Sequence, residues 1–186
     1  MRRDKMAWIG ILSLVGLLAP VSNSANALTT TTDNNLLSEK SLTTPADPKS
    51  AFLVSKTKIL DKYSNAPTLS DMDLVLVLKA VGFEGRDLIE AWAIAKKESN
   101  GQPIRFNGNT QTGDNSYGLF QINMIDDLGP DRRDKFNLRT NFDLLNPVTN
   151  AEIAYYMSDG GTDWSAWKGI TPKTRMWMAK FPGKAA

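Results

Sequence analysis

Arg86-Asp87-Leu88-Ile89-Glu90-Ala91-Trp92-Ala93-Ile94-Ala95-Lys96-Lys97-Glu98-Ser99 is the stretch around which the rest of the chain can be read. Leu88, Ala91, Ala95 and Glu98 recur at spacings of three, four and three residues, which puts them on one face of a helix. Trp92 lies beside that stripe, while Lys96 and Lys97 point progressively away from it. The spacing predicts a helix over 86–99 that ends its apolar stripe on a carboxyl group. Against hydrocarbon the charged form of such a group is disfavoured, so it can carry a proton at neutral pH. The commoner fate of a glutamate at a helix end is to bend to solvent or to pair with a lysine such as Lys97.

Upstream, Ser70-Asp71-Met72-Asp73 has the form of a helix start, with Ser70 as N-cap and acidic residues in the first turn. The nearly continuous apolar run Leu74 to Val81, closed by Gly82, predicts a buried helix. A weaker helical pattern on Phe52, Lys56, Ile59, Leu60 and Tyr63, ended by Ala66-Pro67, reads as a connector over 51–69. Residues 28–50, rich in Thr, Ser, Asn, Asp and Pro, read as a flexible linker.

Downstream, the polar segment from Gly101 to Asn115 suits a loop or a small flap of two or three strands. Helices are predicted over Tyr117 to Met124 and Pro147 to Ser158, the second with Asn146 as N-cap and Pro147 at the first helical position. Strand signals are weak throughout. The expected fold class is mainly α (α+β) with a small β flap, in a domain over 70–168. Residues 169–186 form a C-terminal tail in which Trp177 and Phe181 fit no motif.

With 186 residues the chain has room for one compact domain, and 41% hydrophobic residues is ordinary for a folded one. Neither cysteine nor histidine occurs. A Ser-His-Asp triad, a cysteine nucleophile and the common zinc sites are thereby excluded. Proton transfer falls to Asp, Glu, Lys and Tyr. No metal and no cofactor is expected.

Met1 to Ala27 has the layout of a secretory signal: Arg2, Arg3 and Lys5, an apolar run from Trp8 to Ala19, and the small-x-small site Ala25-Asn26-Ala27. The apolar run is shorter than the ~20 residues that span a bilayer, so cleavage near Ala27 is the first expectation and a retained signal anchor the second. Arg2, Arg3 and Lys5 are three of 22 Lys and Arg, and Asp4 is one of 20 Asp and Glu. Without this segment the chain carries 19 of each and is neutral. A nucleic-acid partner would call for a basic excess, so none is expected.

Glu98-Ser99-Asn100-Gly101, the polar loop, and Ser116-Tyr117-Gly118-Leu119-Phe120-Gln121-Ile122-Asn123 together resemble the lytic transglycosylase and goose-type lysozyme-like superfamily. In that superfamily a Glu-Ser pair closes one helix and a Gly-Leu-(Met/Phe)-Gln segment follows. Asn146-Pro147, Asn150-Ala151 and Ala154 resemble its cleft-floor helix. Gly160-Gly161-Thr162-Asp163-Trp164-Ser165-Ala166-Trp167 is similar to the Trp-x-x-Trp ending of phage-borne and secreted members. The resemblance covers about Ser70 to Lys168 and implies a lysozyme-like fold that cleaves the β-1,4 bond between N-acetylmuramic acid and N-acetylglucosamine.

The same resemblance implies the roles. Glu98 would protonate the leaving oxygen and later act as base. A lytic transglycosylase uses the sugar's own 6-hydroxyl and needs no second carboxylate, whereas a lysozyme-type hydrolase positions water with a second acid. Asp114 is the candidate second acid, although an Asp in Thr-Gly-Asp-Asn also suits a turn. Ser99 and Ser116 are candidates for holding the carboxyl or the sugar, Gln121 and Asn123 for an N-acetyl group. Gly118 is the candidate for close backbone approach to the sugar or the catalytic helix. Tyr117 and either Tyr155 or Tyr156 are candidates for the cleft wall, and Trp164 and Trp167 are expected to pack rather than stack on sugar.

The expected partner is the peptidoglycan glycan strand, with membrane contact only through Met1 to Ala27, a monomeric state, and a secreted or periplasmic location, or a virion-associated one. A non-catalytic wall-binding or virion structural protein is the alternative outside enzymes.

Overall fold

The computed structural model describes residues 48–184, so the expected signal over 1–27 and most of the expected linker lie outside the described residues. Six α-helices and a three-stranded antiparallel sheet follow in the order α1 (Pro48–Tyr63), α2 (Asp71–Val81), α3 (Gly85–Ser99), β1 (Phe106–Asn107), β2 (Ser116–Tyr117), β3 (Ile122–Asn123), α4 (Leu128–Phe136), α5 (Pro147–Met157) and α6 (Pro172–Met178). The mainly α class with a small β flap is the one observed.

Helix α2 begins as its sequence dictates. The Ser70 hydroxyl accepts from Asp73 N at 3.1 Å while Asp73 Oδ2 accepts from Ser70 N at 3.2 Å, a reciprocal cap that satisfies two otherwise orphaned donors. The chain leaves α2 at Gly82, whose φ of 134° is open to glycine, and a Cβ there would press on the Tyr155 ring at 3.2 Å.

Helix α3 is the centre of the domain. Leu88 and every residue from Glu90 to Ala95 is buried, so packing surrounds it rather than meeting one stripe. Trp92 donates from Nε1 to the Asp71 carbonyl at 3.3 Å and meets Trp177 and Phe181 edge-on, with ring centroids 6.1 and 5.7 Å away. The two aromatics that fit no sequence motif therefore cover the central helix, carried by α6 and the residues after it. Lys96 and Lys97 do not reach solvent as the stripe suggested: both side chains are only 10% exposed. Lys96 lies over the rings of Trp92 and Trp177, where its aliphatic stem covers apolar surface and its ammonium reaches Asp71 at 2.8 Å.

Residues 117–124 are not the helix expected from their apolar run. They form the β2–β3 hairpin, in which Ser116 pairs with Asn123 and Tyr117 with Ile122. Gly118 and Gln121 take positive φ of 77° and 47° in the turn. A short apolar run is ambiguous in period between strand and helix, and here a tertiary partner decides. Asn150 of α5 accepts from Phe120 N at 2.9 Å and donates to the carbonyls of Tyr117 and Leu144, each at 2.9 Å. Leu119 and Phe120 are thereby pinned in the core.

Helix α5 starts as predicted, with Asn146 Oδ1 accepting from Val148 N at 2.9 Å and Pro147 in the first turn. Beside it a second aromatic cluster forms, with Trp164 stacked on Phe83 and Phe120, and Trp167 edge-on to Phe120.

Candidate active site

A cleft of about 610 Å³ opens where the C-terminal end of α3, the sheet, α4 and the segment from Ala166 to Lys173 meet. Glu98 enters it from the last turn of α3, before Asn100 ends the helix in the left-handed conformation at φ 58°. Its side chain is 26% exposed, and Oε1 lies 2.9 Å from Lys97 Nζ. Glu98 is thus a partly buried carboxyl group with a cation beside it. Lys97 Nζ also donates to the Trp167 carbonyl at 2.8 Å, and Trp167 Nε1 donates to the Phe120 carbonyl at 2.7 Å. These bonds tie the end of α3 through the Trp-x-x-Trp segment to the β2–β3 turn.

The sheet side brings Asp114, Ser116, Gln121 and Asn123 to the same cleft. Asp114 is held by its own loop: its N–H donates to the Asn109 carbonyl at 3.0 Å and its Oδ2 accepts from Thr112 Oγ1 at 3.3 Å. Gln121 uses its amide nitrogen on the carbonyls of Arg105 and Gly118, both at 3.0 Å. Asn123 is more fully engaged. Its Oδ1 accepts from Asn115 N and Ile125 N at 3.1 Å, and its Nδ2 donates to the Gly113 carbonyl at 2.8 Å. That pattern closes the loop between β1 and β2 onto β3.

The family comparison matches the model described as a lysozyme-like domain to residues 76–169, just over half of the chain. The chain belongs to the lysozyme-like domain family. No curated protein and no solved structure gave a match. The matched span takes in α3, the sheet, α4, α5 and both tryptophans of the Trp-x-x-Trp segment. A lysozyme-like domain is a peptidoglycan-lytic domain in general terms, and its polymer lies outside the cytoplasm.

Within this lysozyme-like domain, five of the expected site residues line the cleft and five do not. Ser99 is turned into the helix end, where its hydroxyl donates to the Ala95 carbonyl at 3.0 Å and accepts from Gly101 N at 3.1 Å. Tyr117 is buried between Phe106 and Phe142. Gly118 approaches not the sugar site or α3 but the Asn150 amide and the Leu144 carbonyl, which leave no room for a Cβ. Tyr155 packs edge-on against Phe83, at 4.9 Å between centroids, and Tyr156 is exposed beside Phe136 and Lys135. The side chain that α5 gives to the cleft wall is Met157.

Beside Lys97, whose pairing with Glu98 the sequence had offered, three further cations were not anticipated there: Arg132, Lys168 and Lys173. Arg132 is half-buried and donates to the Asn123 carbonyl, and burial pulls its guanidinium below its ordinary pKa. Nothing in the local sequence marks them. They converge from α4, α6 and the turn before α6.

Proposed function

We propose that the cleft holds a glycan strand of peptidoglycan and that Glu98 is the general acid/base for cleavage between N-acetylmuramic acid and N-acetylglucosamine. The observation that carries this reading is the carboxyl of Glu98, at the end of the central helix, lining an open polar cleft with Oε2 free of any hydrogen-bond partner among the described residues.

In its protonated form Glu98 gives a proton to the bridging oxygen as the bond from the muramyl C1 breaks and C1 gains oxocarbenium character. The glucosamine unit then leaves as an alcohol. The Glu98 carboxylate next removes the proton from the 6-hydroxyl of the same muramyl sugar, whose oxygen bonds to C1. The product is a 1,6-anhydro end, no water is consumed, and Glu98 regains its proton. This lytic transglycosylase course needs one carboxylate, and the engagement of Asp114 in its own turn supports it.

The presence of Asp114 in the same cleft favours one second reading, a hydrolase in which that carboxylate positions water. The two readings differ in product. Mass spectrometry of digested peptidoglycan is expected to find 1,6-anhydromuramyl ends, 18 mass units lighter than reducing ends by the loss of one water, roughly as the chemistry requires. Reducing ends alone would establish the hydrolase, and an undigested wall would point to the non-catalytic wall-binding or virion structural role.

A signal over Met1 to Ala27 and a secreted or periplasmic location accord with such a substrate. Residues Ser116, Gln121 and Asn123 are the wall against which the strand would lie.

A further inference from the structure

Three of the cleft's cations have no carboxylate partner among the described residues. The ion pairs among the described residues join Arg86 to Glu90, Lys96 to Asp71, Lys97 to Glu98 and Arg139 to Asp143, and none involves Arg132, Lys168 or Lys173. Arg132 is the informative member. A partly buried guanidinium loses hydration and is stabilised when an anion takes the place of that water. Its protein partner is a neutral backbone carbonyl, that of Asn123, bonded to Nη1. No other hydrogen bond engages its fork of donors among the described residues, and such a fork matches a carboxylate with two parallel hydrogen bonds. Lys168 and Lys173 line the same cleft and are exposed, Lys168 held in the left-handed conformation at φ 64° just after the Trp-x-x-Trp segment. Lys97, Arg132, Lys168 and Lys173 outnumber the carboxyl groups of Glu98 and Asp114 in the cleft lining, and that positive excess favours an anionic group on the bound glycan.

We propose that Arg132, with Lys168 and Lys173, forms a carboxylate-binding subsite of the cleft that selects muramyl glycans by the acidic branch at their lactyl oxygen. The inference rests on the reading of the cleft as a glycan site. The carboxylate has two possible sources with one chemistry: a carboxyl of the stem peptide, or the free lactyl carboxyl of a strand whose peptide has been removed.

The test measures binding apart from cleavage. The full chain carrying Glu98→Gln is co-sedimented with insoluble peptidoglycan bearing stem peptides, with the same material stripped of peptides by an amidase, and with each after methyl esterification of its carboxyls. Arg132→Gln, and separately Lys168→Gln with Lys173→Gln, are then added. Each is expected to weaken binding to carboxyl-bearing wall by about tenfold, the scale of one charge-assisted hydrogen bond. Binding to esterified wall, already weak, is expected to stay unchanged by either. Dependence on Arg132 that survives peptide removal assigns the lactyl carboxyl, and dependence lost on removal assigns the stem peptide.

Equal binding to free and esterified wall, or variants that bind carboxyl-bearing wall like their parent, would overturn the subsite. If Arg132→Gln disturbs folding, the exposed lysine pair carries the same comparison. The unsubstituted chain is assayed for lysis in parallel. Lysis without any dependence of binding on these cations leaves the catalytic reading standing and this one refuted; dependence without lysis does the reverse.

Discussion

Lys97 Nζ lies 2.9 Å from Glu98 Oε1, although consecutive residues on a helix diverge by about 100° around its axis. The pairing forms because α3 ends there and because the Trp167 carbonyl draws Lys97 to the same side. Glu98→Gln keeps the shape of the side chain and removes its proton chemistry. Lysis of a wall suspension, followed as loss of turbidity, is expected to fall by about a thousandfold, within the range for loss of a general acid/base. The melting temperature should move by no more than about 3 °C, since a partly exposed ion pair contributes little. Retained lysis would remove Glu98 from the mechanism.

Asp114→Asn separates the two chemistries. For a transglycosylase the initial rate is expected to stay within about threefold of the parent, because no step calls on a second carboxylate. A loss of about a hundredfold or more, with reducing ends as product, would instead assign Asp114 the positioning of water.

Asn150→Ala should destabilise the domain by about 3 kcal/mol in urea unfolding. Its fully buried amide holds Phe120 N, the Tyr117 carbonyl and the Leu144 carbonyl, and truncation removes those three buried hydrogen bonds. A cost below about 1 kcal/mol would mean that water replaces the amide, and that the β2–β3 turn is held by its apolar contacts instead.

Acid should loosen the contact between α1 and α2. The Tyr63 hydroxyl, followed by Ser70, holds the Asp73 carboxyl below its ordinary value of 3.8. A pKa lower in the folded state than in the unfolded one stabilises fully above the unfolded value, and the contribution fades as pH falls through the folded value. Asp73→Asn is therefore expected to flatten the fall of melting temperature below about pH 4 and to lower it near neutrality. A parallel acid limb in parent and variant would contradict this assignment.

Helix ends were the most legible features. Ser70 with Asp73, and Asn146 with Pro147, announce α2 and α5 through side chains that satisfy backbone donors within three residues, so no distant partner is needed. Helix α4 escaped notice because, of its nine residues, Gly129 alone is buried and no apolar period runs through it. The start of α6 did carry a local signal, with the Thr171 hydroxyl accepting from Thr174 N at 3.2 Å and Pro172 following. What could not be read was its destination, the Trp92 face of α3.

Glu98 at the end of a central helix, the absence of cysteine and histidine, and the spaced motifs of a lysozyme-like domain were all written in the chain, because each depends on residue type and local period. Tertiary structure alone decided the surroundings of Glu98. A helical stripe reports one buried face, but α3 is enclosed on the others by α6 and by Trp167, so Lys97 is turned inward to Glu98. The same long-range packing makes a hairpin of residues 117–124 through Asn150 and gathers Arg132, Lys168 and Lys173 around one cleft. Contacts between residues tens of positions apart leave no periodic mark on either partner.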